Sequence, residues 1–135
     1  MRGAKGKNSF VVDSSFILSY LLPDEKSEAV TNFFVRPEAW DLNLFSVEIL
    51  PFEVMNGLKT AVLRKRITRK QALHLSRAFF EIPIELTKVD LRECLNLAFA
   101  GNLTIYDAAY LQVSKARKFK LLSLDSHLKP FSLQA

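Results

Sequence analysis

The sequence predicts an α/β sandwich built on a mostly parallel sheet, and three observations predict it. Short β-branched or aromatic runs alternate with stretches of helical apolar spacing from first to last, the pattern of strands joined through helices. The chain has 135 residues, 49% hydrophobic and 24% charged, enough for one globular domain with its own core. Cys94 is the only cysteine, so the fold has neither a disulfide framework nor a cysteine zinc site to lean on.

Residues 1–8 read as a basic tail carrying Arg2, Lys5 and Lys7, expected to be disordered; residues 9–135 read as a single domain. Phe10 to Val12 is a short buried strand that ends at Asp13. Ser14 to Leu22 is helical and is stopped by Pro23. Glu25 to Val35 places Ala29, Val30, Phe33 and Phe34 at helical spacing, and Leu42 to Val47 is a second strand. Pro51 suits the first turn of a helix running to about Arg66, with Val54, Met55, Leu58, Ala61 and Val62 facing inward. Thr68 to Phe80 is a further helix, broken by Pro83, and Ile84 to Leu86 a third strand. Val89 to Ala100 is helical and ends at Gly101-Asn102, Thr104 to Arg117 is helical, and Lys120 to Leu124 is the last strand, followed by Asp125. The apolar faces of these helices, that of Glu25 to Val35 among them, suit a core or a dimer surface equally well. Trp40 and Cys94 read as packing residues. In parallel sheets ligands gather beyond the carboxyl ends of the strands, so chemistry is expected at that edge.

Charge narrows the partners. No apolar run approaches the roughly 18 residues of a membrane span. The apolar run before Asp13 is too short for the hydrophobic region of a secretory signal, and a reducing, cytoplasmic setting is expected. Net charge is +5 and the isoelectric point about 9.5. From Val54 to Phe80 there is no acid, while Lys59, Arg64, Lys65, Arg66, Arg69, Lys70 and Arg77 all fall there; Lys115, Arg117, Lys118 and Lys120 form a second cluster. These are either solvated helix faces or a surface that tracks the phosphates of a nucleic acid.

Four carboxylates do not match their surroundings. Asp13 is the only charge between Asn8 and Leu22, Asp107 the only one between Leu103 and Ser114, Asp125 follows Leu-Leu-Ser-Leu, and Glu53 lies in Leu-Pro-Phe-Glu-Val-Met. An unpaired buried carboxylate is costly, so such groups are hydrogen-bonded, paired or on a metal. Each has an ordinary explanation: Asp13 and Asp125 as helix caps, Asp107 within the Thr104-x-x-Asp107 capping pattern, Glu53 on an exposed helix face. Together they share the one edge where strands end and helices begin. Carboxylates crowded there repel unless a cation joins them, and oxygen donors with no cysteine and little histidine select Mg²⁺ or Mn²⁺. Such a cation can activate water and offset charge on a phosphodiester. His74 sits in a basic helix; His127, just after Asp125, reads as a surface histidine or as a contact to the substrate or to the residues around the metal.

Phe-Val-Val-Asp13-Ser-Ser, Phe-Glu53-Val-Met-Asn56-Gly-Leu, Leu-Thr104-Ile-Tyr-Asp107-Ala-Ala-Tyr and Leu-Leu-Ser-Leu-Asp125 resemble the four acidic signatures of PIN domains, in their usual order, over about Phe10 to Leu128. The resemblance implies a three-layer α/β/α sandwich with a mostly parallel central sheet, Mg²⁺- or Mn²⁺-dependent cleavage of RNA, and frequent homodimers. Small single-domain members are often VapC-type toxins restrained by an antitoxin protein. Carried over by position, Asp13 and Asp107 are implied as core metal ligands. The resemblance implies that Glu53 binds directly or through water, and that Asp125 acts through a second metal or a water. Thr104, Ser14 and Asn56 are implied in support. Ser123-Leu124 departs from the pattern, where Thr and a small residue are common. The implied reaction is hydrolysis without a covalent enzyme intermediate, with Arg64, Lys65, Arg66, Arg69 and Lys70 as candidates to hold flanking phosphates.

Other classes compete. A phosphoacceptor receiver domain resembles this chain at Lys129-Pro130 but needs an Asp after a middle strand, and none lies between Asp41 and Asp90. A haloacid-dehalogenase-type phosphatase needs Asp-x-Asp, and Ser15 stands at the second position. Within the PIN resemblance, the alternatives to a toxin are an RNA-processing or turnover nuclease and a non-catalytic RNA-binding or interaction module.

Overall fold

The computed structural model describes residues 8–35 and 42–132. The basic tail, apart from Asn8, and Trp40 lie outside the described residues. Four strands, β1 (Ser9–Val12), β2 (Asn43–Val47), β3 (Ile84–Thr87) and β4 (Lys120–Leu122), form one sheet in the order β3-β2-β1-β4. Every neighbouring pair is parallel, with Val11 opposite Phe45 and Leu121, and Phe45 opposite Glu85. Among the described residues six α-helices connect them: α1 (Ser14–Leu21), α2 (Glu28–Val35), α3 (Leu50–Leu63), α4 (Arg69–Glu81), α5 (Leu91–Gly101) and α6 (Ile105–Arg117). Among the described residues no helix is long and apolar enough to cross a membrane.

Strand alternation assigns the layers. Successive side chains leave a strand on opposite faces. Phe10 meets Phe33 of α2 edge-on, and Phe33 in turn meets Phe16 of α1. Val11 and its partner Phe45 point the other way, where Phe45 stacks at 4.7 Å on Phe119, just past α6. Helices therefore cover both faces, the predicted three-layer arrangement. Covering both faces explains why β1 is buried at all four positions, and why Val30 and Phe33 of α2 are core residues. On the α1 side, Leu22 after α1, Leu58 and Ala61 of α3 and Ile67 between α3 and α4 form a second buried cluster, against which Ala72 and Leu75 of α4 pack. Gly57 lets α3 close on α1, since a Cβ there would lie 2.5 Å from Leu18 Cδ1.

Local chemistry sets the element ends. Thr68 and Gln71 form a reciprocal capping box at the start of α4, and Asp90 and Thr104 cap α5 and α6 through their side chains. Asn102 ends α5 in the left-handed conformation, at φ 53°. Three boundaries differ from expectation. α2 begins at Glu28, because Pro23–Glu25 closes a separate 3₁₀ turn. α3 stops at Leu63 rather than near Arg66, because Lys65 turns left-handed at φ 60° and the Arg66 N–H closes back on the Ala61 carbonyl. β4 ends at Leu122, because Ser123 leaves the ladder for side-chain bonds described below.

Candidate active site

Parallel strands deliver their carboxyl ends to one edge. Asp13 leaves β1 there, with its backbone N–H still bonded to the Leu122 carbonyl of β4. Its side chain caps α1 by accepting the Phe16 N–H at 2.9 Å. The expectation of a cap was therefore met, yet the same carboxylate carries more. Oδ1 also accepts the Ser15 hydroxyl at 2.7 Å, and Oδ2 accepts the Ser123 hydroxyl. Asp13 is only 2% exposed. Burial pushes its carboxyl up to about 6; the three hydrogen bonds hold it down, and the Asp125 charge adds to the rise.

The loop after β4 is latched to Asp13. Ser123 Oγ accepts the Asp125 N–H at 3.0 Å, and Ser15 Oγ accepts the Leu124 N–H at 2.8 Å. Asp125 is thereby held over the strand end, half-buried, and its Oδ1 accepts the His127 N–H at 2.8 Å. The remaining acids come from helix starts. Glu53 sits in the first turn of α3, where its Oε1 accepts the hydroxyl of Tyr110 from α6. Burial and then the Glu53 carboxylate push the Tyr110 phenol well above its ordinary range, so it stays a proton donor to Glu53. Asp107 lies one turn before Tyr110 on α6, its N–H given to the capping Thr104 hydroxyl at 3.0 Å. Burial raises the Asp107 carboxyl, Asp125 and Glu53 raise it further, and Thr104 and His127 oppose them.

One atom each from Asp107, Asp125 and His127 lie within 4.8 Å of one another. Among the described residues no lysine or arginine pairs with any of the four acids; the ion pair at the site is His127 Nδ1 with Asp125 Oδ1, at 3.5 Å. A set of carboxylate oxygens with one imidazole and no neutralising base fits a divalent cation. Asp13 and Glu53 contribute no atom to this group. Both Oδ1 lone pairs of Asp13 are committed, which leaves Oδ2 with one free.

The other candidates fall into two places. Ser14 lies at the start of α1 beside the Tyr110 hydroxyl, whereas Ser15 is the serine that donates to Asp13. Asn56 is exposed one turn beyond Glu53. Arg64, Lys65, Arg66, Arg69 and Lys70 gather where α3 ends and α4 begins. That is about 16 Å along α3 from Glu53, at 1.5 Å per residue. Arg66 is already engaged, with Asp24 at 2.7 Å and with Glu25. Arg69 and Lys59 rim an apolar groove between the two helices lined by Met55, Leu58 and Val62.

Residues 10–132 match the PIN domain family. The chain belongs to that family. It is 28% identical over 123 residues to ribonuclease VapC3 of Pyrobaculum aerophilum, across 87% of this chain and 90% of the relative. The crystal structure of PAE2754 from Pyrobaculum aerophilum superposes with a TM-score of 0.70 at 20% identity, over 92% of this chain and 79% of that one. VapC20 of Mycobacterium tuberculosis, described as a sarcin-ricin loop cleaving toxin, superposes with a TM-score of 0.63 at 12% identity, over 93% and 98%. These two likenesses are of fold.

Within this PIN domain, three residues around the acids escaped the sequence reading of the site, and a fourth was read only in part. Ser123 stood out only as a departure from the family pattern, and it is the link between Asp13 and the Asp125 loop. Ser15 differs from Ser14 by one position, and only the helix start decides which hydroxyl turns toward the carboxylate. Tyr110 carried a usable signal, a phenol one helical turn after Asp107 on the same face. His127 was noticed but not joined to Asp107, which lies on another element.

Proposed function

We propose that this PIN domain is a divalent-cation-dependent endoribonuclease, the toxin of a toxin–antitoxin pair. The observation that carries the proposal is the set of carboxylates at one sheet edge with, among the described residues, no lysine or arginine paired to them, where Asp107, Asp125 and His127 bring ligand atoms within 4.8 Å of one another. The similarity to ribonuclease VapC3 supports RNA as the substrate and a VapC-type role. A bound Mg²⁺ or Mn²⁺ would supply an activated water and offset charge on the scissile phosphate. Asp107 and Asp125 would hold it from two elements. Asp13 would anchor their spacing and offer its remaining Oδ2 lone pair, and Glu53, oriented by Tyr110, would face the attacking water or the cation. Thr104 would fix the α6 start that carries Asp107. Arg64, Lys65, Arg69 and Lys70 would hold phosphates away from the cleaved bond. An antitoxin protein and a second copy of the chain are the proposed partners.

The test compares wild type with Asp107→Asn on single-stranded and structured RNA, with Mg²⁺, with Mn²⁺ and with EDTA. A thermal melt accompanies it, because Asp107 also sits in the first turn of α6, where a negative charge favours the helix. Metal-dependent cleavage by the wild type, absent in a folded variant, is the expected result. A protein that neither cuts RNA nor binds Mn²⁺ would be a non-catalytic module. Cleavage without an antitoxin gene directly upstream would assign the enzyme to RNA processing or turnover.

A further inference from the structure

We propose that His127 is a nitrogen ligand of the cation held at Asp107 and Asp125, and that it tilts this site from Mg²⁺ toward Mn²⁺. The inference rests on the reading above, that these acids hold a divalent cation.

The turn after β4 is built to present this imidazole. Asp125 Oδ1 accepts the His127 N–H at 2.8 Å, and the Asp125 carbonyl accepts the N–H groups of Leu128 and Lys129 at 3.1 and 2.9 Å. Leu128 is fully buried, which pins the turn to the core. The ring itself is not held by packing, since its side chain is 67% exposed. It nevertheless lies over the acids, with Nδ1 3.5 Å from Asp125 Oδ1. One of its nitrogens also falls within 4.8 Å of an Asp107 oxygen, although Asp107 stands on α6, a different element. A simple ion pair with Asp125 accounts for the first contact and leaves the second unexplained. A cation bound by two carboxylates and the imidazole accounts for both contacts.

The donor set has a consequence for selectivity. Mg²⁺ prefers oxygen donors and keeps its waters, whereas Mn²⁺ and the later divalent ions accept imidazole more readily. Replacing His127 should therefore weaken Mn²⁺ binding more than Mg²⁺ binding.

The experiment uses the full chain, wild type and His127→Ala, with Mn²⁺ and Mg²⁺ titrated separately by calorimetry. Pulsed electron paramagnetic resonance of the Mn²⁺ complex reads nitrogen coupling directly, and melts in EDTA check that both proteins fold alike. The expected result is a nitrogen coupling in the wild type that the variant lacks, with Mn²⁺ affinity about tenfold or more weaker and Mg²⁺ affinity less affected. A wild-type complex without nitrogen coupling, a coupling that persists in the variant, or equal losses for the two ions would each overturn the proposal while leaving the cation site itself intact. A wild type that binds neither ion would overturn the nuclease reading along with it.

Discussion

The Ser123 hydroxyl donates to Asp13 Oδ2 while its oxygen accepts the Asp125 N–H at 3.0 Å, so one side chain sets the spacing between an acid at the end of β1 and an acid after β4. Ser123→Ala removes a donor to a buried carboxylate and leaves the Asp125 N–H without that acceptor. Loss of a hydrogen bond to a charged group costs about 1–3 kcal/mol. Urea denaturation of the metal-free variant should show a loss of that size, and Ser123→Thr, which keeps the hydroxyl, should lose less. If Ala and Thr behaved alike, the hydroxyl would not be what holds the loop.

Asp13 makes the metal-free protein sensitive to pH in a definite direction. Its carboxyl titrates near 6 in the folded chain against an ordinary value of 3.8. A carboxyl raised on folding favours the native state most when protonated, so its contribution is fully present below pH 3.8 and is lost as the pH rises through 6. The loss amounts to about 3 kcal/mol, from a shift of about 2 units at 1.36 kcal/mol each. Asp13→Asn removes this titration. Measured in EDTA, the variant should gain on the wild type between pH 4 and pH 7.5 by about that amount, while losing the stabilisation that Mn²⁺ confers. A stability difference that does not change with pH would refute the assignment.

Tyr110 acts on the site through Glu53. Tyr110→Phe keeps the ring in the core, where it is 1% exposed, and removes only the hydroxyl that holds Glu53 Oε1. Stability should fall by about 1–2 kcal/mol. Cleavage or Mn²⁺ affinity should fall about 10- to 100-fold, as for other residues that orient a ligand without touching the metal. A variant that loses stability but keeps both would show Tyr110 to be a packing residue.

Much of this arrangement was legible before any coordinates, for reasons that are local. Phe10-Val11-Val12 is apolar on both strand faces and can only be central, so Asp13 had to emerge at a sheet edge. Thr104 announces its helix by a side chain that bonds three residues ahead, the pattern predicted for Thr104-x-x-Asp107, whereas Thr68 and Asp90, expected within their helices, turn out to be the caps. What stayed hidden depends on partners far along the chain. Tyr110 and Glu53 are 57 positions apart, and Ser123 and Asp13 are 110 apart, so neither link leaves a local mark. The early end of α3 is of the same kind: it coincides with Arg66 reaching back to Asp24, 42 residues earlier. The basic residues stand together in the sequence, but spacing along it could not reveal that Arg64 to Lys70 collect at the far end of α3 from Glu53.

That separation yields the last prediction. Arg64 and Lys65 are exposed and lie about 16 Å along α3 from Glu53, beyond direct reach of a reacting phosphate. If they hold RNA, they hold phosphates several nucleotides from the cut. Replacing both with Gln should weaken binding of a long single strand and reduce the salt dependence of its affinity by about 0.7 in log–log slope for each lost contact. Mn²⁺ binding should be unchanged, and a short oligonucleotide confined to the acids should be cut as before. Arg66→Gln should alter the slope less, because its guanidinium is already shared between Asp24 and Glu25. It should instead loosen the junction where α3 ends against the turn after α1. Equal slopes for wild type and the double variant would mean that these residues are a solvated helix end and that RNA approaches the acids from another side.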